Sequence, residues 1–162
     1  MKSKSTNILI SIAALLSLLA LIVRLVIFFG PQKFFVERFG GSALTEDYTN
    51  VSDPAGISKA IFLFLAYFIV CIITVTNKRK TLGKIACIVC IIVHFIFSFL
   101  YPIITTLVFG MFINNQGAQY IAAYSYLSNA SSYLESPIIL LALILLCIAF
   151  GTLIGNDEQQ KN

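Results

Sequence analysis

Apolar residues run through this chain in four long blocks, at 8–29, 57–76, 85–109 and 137–154, and polar residues collect between them. At ~1.5 Å per residue each block reaches across most or all of a hydrocarbon core of ~30 Å. The pattern therefore predicts an all-α protein: a single-domain integral membrane bundle of four transmembrane helices. The first block follows Lys2 and Lys4 as a signal peptide would. It is too long for one, carries Arg24, and ends in Phe28-Phe29-Gly30-Pro31 rather than a small-residue cleavage site, so it reads as an uncleaved helix.

The intervening segments have different characters. Residues 77–84 hold Lys78, Arg79, Lys80 and Lys84, four of the chain's eleven basic residues, between the second and third spans. Because Lys and Arg resist transfer across a bilayer, this turn reads as cytoplasmic. Lys2, Lys4 and Lys161 then fall on the same side, against Lys33, Arg38 and Lys59 on the other. The expected topology is multi-pass in the plasma membrane, with both termini cytoplasmic and outer loops at 30–56 and 110–136.

Each outer loop contains a stretch suited to a short amphipathic helix. Phe35 and Phe39 stand one turn apart in 32–39, and Tyr120, Tyr124 and Leu127 share a side in 116–127. The pair Ser136-Pro137 suits an N-cap and first helical position, which predicts that the fourth span starts there.

Composition agrees with the pattern: 59% of the 162 residues are hydrophobic and 11% charged, against about 25% charged in an ordinary soluble domain. The lipid bilayer is thus the first partner. The net charge of +4 comes from residues near span ends rather than from a basic stripe, so no nucleic-acid interface is expected. Abundant Ile and Asn suggest an AT-rich bacterial genome.

Arg24 is the one formal charge well inside a span, and Ala13, Ser17 and Ala20 lie on its helical face. Small residues mark close helix packing in lipid, so Arg24 should point into the bundle, with Glu135 as its first acidic partner and Glu37 as its second. Gly151 and Gly155 form a second small-residue pair, suited to packing within the bundle or between copies. Cys87, Cys90 and His94 share a stripe of the third span and are soft donors. Without a fourth ligand they read better as packing residues than as a metal or dithiol site. Tyr120 and Tyr124, with Phe35 and Phe39, are candidate elements of an outer binding surface, as rigid aromatics among Ala, Ser, Asn and Gln.

No span carries Asp or Glu, and no nucleophile, base and acid stand in a recognisable set, so neither proton-coupled transport nor an enzyme is expected. No cofactor is implied. The favoured reading is a non-enzymatic accessory, regulatory or immunity-type subunit that binds a larger membrane protein. The alternative is a small homo-oligomeric transporter or channel with Arg24 on its pathway, and a metal- or thiol-dependent membrane protein comes third. The topology has a direct test. A reporter fused after Glu158 is expected to read as cytoplasmic, and one inserted within 41–50 as external; the reverse would invert every loop assignment.

Overall fold

The computed structural model describes residues 2–40, 51–76, 80–113 and 118–158. Among these there are five helices and no strand: α1 (Lys2–Phe29), α2 (Gln32–Gly40), α3 (Pro54–Thr76), α4 (Lys80–Ile113) and α5 (Ala118–Glu158). Four of them, α1, α3, α4 and α5, are long and apolar enough to cross a membrane. The basic residues Lys78 and Arg79 of the expected cytoplasmic turn lie outside the described residues, as do Lys161 and residues 41–50 of the first outer loop.

The four long helices form a ring in which α1 touches α3 and α5, and α4 closes the ring between them. The most extensive contact is between α1 and α5, and its cause is visible in residue size. Ala13, Ala14, Ser17 and Ala20 are buried on α1, and Ala123, Ala130, Ser131, Ala142 and Ala149 on α5. Lipid tails are as apolar as Leu, so helices in a bilayer associate through close packing and internal polar bonds rather than through hydrophobic transfer. Small side chains let the two backbones approach. The opposite side of α1, bearing Ile8, Ile12, Leu15, Leu19, Ile22 and Val26, is exposed and faces where lipid would be.

Two apolar clusters divide the bundle along its length. The larger joins Ile10, Tyr67, Val70, Cys87, Cys90 and Leu146 in the half that carries the start of α1 and the end of α5. There Thr6 and Thr152 hydroxyls meet at 2.9 Å, tying α1 to α5. The smaller joins Ile27, Phe28, Val36, Val51, Ala123 and Leu127 at the other end, where α2 folds back against α5.

The helices run past the expected spans at several ends, among them the starts of α1 and α4 at Lys2 and Lys80, and three of the differences bear on the architecture. Helix α3 begins at Pro54, not 57, because Asp53 caps it: its Oδ1 accepts the Gly56 N–H at 2.9 Å, and Pro54 occupies a position that needs no N–H. Helix α4 runs through Pro102 to Ile113. The largest difference is α5, which is one helix of 41 residues through Pro137. The described part of the expected loop helix 116–127 is its first turns, and Ser136 is not an N-cap. Pro137 cannot donate to the Tyr133 carbonyl, but the turns on both sides are held by packing on α1. At ~1.5 Å per residue α5 extends for about 60 Å, twice the hydrocarbon thickness.

Continuity of α5 is measurable. Spin labels at Ile121 and Ile154, both exposed, are expected about 50 Å apart. A distance well below ~40 Å would mean that the helix folds back between them and that Pro137 starts a new element.

Candidate functional site

Between the two apolar clusters lies a polar layer, and Arg24 is its centre. The side chain is 9% exposed, so it does not snorkel to the headgroups despite standing only ~8 Å from the end of α1. Its Nη1 donates to Glu135 Oε2 at 2.6 Å and to Ser131 Oγ at 3.1 Å. Its Nη2 donates to Asp53 Oδ2 at 2.5 Å and lies 3.5 Å from the Tyr101 hydroxyl. The Phe28 ring sits 5.6 Å from the guanidinium carbon, within cation–π range. One cation is thus shared by two carboxylates that are themselves buried.

Each carboxylate is held from a second side. Ser131 precedes Glu135 by one helical turn, and its hydroxyl donates to Glu135 Oε2 at 2.6 Å. Asp53 Oδ1 caps α3 through Gly56 N–H and lies 3.4 Å from the Tyr124 hydroxyl. The same residue therefore starts α3 and neutralises a charge on α1.

Gly56 is required by this approach. A Cβ built on it would overlap both the Arg24 guanidinium and the Asp53 carboxylate, so any side chain there would push the ion pair apart.

The segment that delivers Asp53 is itself clamped. Gln32, buried at the start of α2, accepts Val51 N–H at Oε1 (3.0 Å) and donates from Nε2 to Val51 C=O (2.7 Å) and to Phe28 C=O. One carboxamide thus satisfies both backbone groups of Val51, as a paired strand would. Without such partners a buried extended segment would leave polar groups unsatisfied.

Lys59 completes the layer. Its ammonium lies 4.7 Å from the Tyr101 ring centroid, on the second turn of α3 beyond Gly56. With Arg24, Asp53 and Glu135 it makes a formally neutral set of two cations and two anions. Among the described residues, Arg24 Nε is the buried side-chain nitrogen or oxygen without a hydrogen-bond partner.

The sequence-derived residues do not all fall in this layer. Arg24, Glu135 and Tyr124 converge on this layer, with Ser17 and Ala20 buried below them on α1. Glu37, expected as the second acidic partner, is exposed on α2, and Asp53 takes that role. Phe35 and Tyr120 pack beside Tyr124 against the smaller apolar cluster, and Phe39 stacks on exposed Tyr133 at 6.1 Å. The Tyr120 and Tyr124 rings are thus engaged in packing α5 onto α1 and the segment at Val51.

Elsewhere, Cys87 and Cys90 are buried in the larger cluster, and His94 Nδ1 is 3.1 Å from the Tyr67 hydroxyl. Among the described residues no group of three His, Cys, Asp or Glu side chains stands close enough to hold a metal ion. Gly151 and Gly155 face outward, with nothing within 4 Å of a Cβ built on either, so neither is a contact inside the bundle.

Asp53 and Lys59 escaped the sequence reading. A usable signal was present: Asp53-Pro54 with Gly56 two residues later is a helix-start pattern, and moving the start of the second span back to 54 puts Asp53 at the outer end of that helix, within reach of a long side chain from Arg24 near the outer end of the first.

The comparisons add no relative: no protein family, no curated protein and no solved structure matches this chain.

Removing the cation leaves two buried carboxylates facing each other, so Arg24→Gln is expected to destabilise the bundle by about 3–5 kcal/mol. Unfolding in graded denaturing detergent would measure it. Gly56→Ala should be severe in the native background and much milder where Arg24→Ala and Asp53→Ala remove both groups its Cβ would meet. Additive effects would show that Gly56 is needed for some other reason.

Proposed function

We propose that this protein is a non-enzymatic accessory or regulatory subunit of the plasma membrane, with both termini cytoplasmic, that works by packing against another membrane protein. The observation that carries this reading is the closed pairing of Arg24 with Asp53 and Glu135. The strongest charges in the bundle are engaged with one another, as a structural lock rather than a lining for a traversing ion. What remains for recognition is outward-facing: apolar helix faces rich in Ile, Leu and Phe, the outward small-residue pair Gly151 and Gly155, and the half of α5 that exceeds the membrane thickness. These favour a partner that is itself embedded in lipid.

A second reading keeps the homo-oligomeric transporter or channel. It draws on the partnerless Arg24 Nε and on Lys59, which places a second cation beside the cluster. In that reading an anion would pass or dwell near Lys59, and Arg24 would hold the wall in shape.

Purification from native membranes in a mild detergent separates the two. A second membrane protein at fixed stoichiometry is expected, with its capture lost on bulky substitution of exposed helix positions such as Gly151→Leu. Deleting residues around Tyr120 to Tyr133 is unsuitable as a test, because Tyr124, Leu127 and Ser131 hold the fold. A preparation containing this chain alone, with liposome flux altered by Lys59→Gln, would overturn the accessory reading and establish transport.

A further inference from the structure

Helices α3 and α4 meet tightly on one side and part on the other. On the inner side Gly83 brings α4 against Thr74, with a Cβ there only 3.2 Å from the Thr74 methyl. On the lipid side a groove of about 390 Å³ opens between the same helices. Its lining is entirely Ala, Val, Ile, Leu and Cys, with Ala66, Val70, Ala86 and Cys90 as small side chains that leave the space.

The dimensions of this groove select its occupant. Along α4 it runs from Leu82 to Val93, which is ~16 Å at the helical rise and close to half of the ~30 Å hydrocarbon core. One turn further on, Phe62 and Phe97 stack across the two helices at 5.9 Å. They continue the stripes of Ala66 and Val93 and close the groove at that depth. A transmembrane partner helix must cross both leaflets and would meet this ring pair. A polar ligand would find no donor or acceptor.

A flexible hydrocarbon chain one leaflet deep fits both the length and the lining. We propose that the α3–α4 groove is a site for one acyl chain of a membrane phospholipid, drawn from the leaflet into which Thr76 and Lys80 end their helices. The chain lies against Ala86, Val89 and Cys90 with its terminal methyl towards Phe62 and Phe97, and it completes the packing that small residues leave open. This site is independent of the Arg24 layer and of the accessory reading.

The test uses the full chain in vesicles of phosphatidylglycerol and phosphatidylcholine containing a trace of phosphatidylglycerol with a photoreactive diazirine in one acyl chain. After irradiation, labelled peptides are mapped by mass spectrometry. Label concentrated at Val89 and Val93, above that at the equally lipid-facing Leu19 and Ile144, is expected. Ala86→Phe, which fills the groove, should abolish that excess while the control positions keep their labelling. If Ala86→Phe fails to fold, Val89→Phe serves the same purpose from the groove wall. Equal labelling of groove and control positions would overturn the proposal, as would cross-linking of a Val89→Cys variant into a dimer, which would give the groove to a second copy.

Discussion

A single guanidinium holding two carboxylates from different parts of the chain is the constraint on which this bundle depends. Arg24 comes from α1, Asp53 from the segment leading into α3, and Glu135 from α5. Apolar contacts among membrane helices are close to interchangeable, because sliding a helix by a turn replaces one Leu or Ile contact with another. An ion cluster cannot slide. Charges inside the hydrocarbon region cost several kcal/mol each on an insertion scale, so any register that separates them is disfavoured. A buried pair need not add net stability over well-packed apolar residues. Its contribution here is to select one register for three helices at once.

The neighbouring residues make sense as support for that cluster. Gln32 pins Val51, which holds Asp53 at the right depth. Gly56 leaves room for the guanidinium. Ser131 and Tyr124 steady the two carboxylates. None of these side chains reaches outward, so the layer reads as architecture, and the outward surfaces of the bundle are made of apolar side chains. That is the physical basis of the accessory reading, and the α3–α4 groove lies away from the charges, where small residues thin the contact between those helices.

Much of this was legible in the sequence, for reasons that can be named. Four apolar blocks of membrane-crossing length follow from the cost of exposing backbone and charge to lipid, which acts on each segment locally. The face shared by Ala13, Ser17, Ala20 and Arg24 follows from helical periodicity alone. Glu135 stood out as an acidic residue at the entrance of the last apolar block. The role of Asp53 is hidden when the helix start is set at 57 rather than 54, and Tyr120 and Tyr124 resemble a surface because no charged residue lies between 110 and 134. Their actual surroundings depend on α5 passing straight through Pro137, which local signals oppose.

By itself the sequence determined the class of environment, the number of apolar helices and the face α1 turns inward, since each depends on composition and period within one segment. Only the tertiary structure decided that Asp53, not Glu37, shares Arg24 with Glu135, and that α5 is continuous. Both are contests between local preference and long-range pairing. A helix-start signal at Ser136-Pro137 carries about 1 kcal/mol, while continuity keeps Ser131 and Glu135 on the same face as the buried cation, where losing a partner costs several times as much.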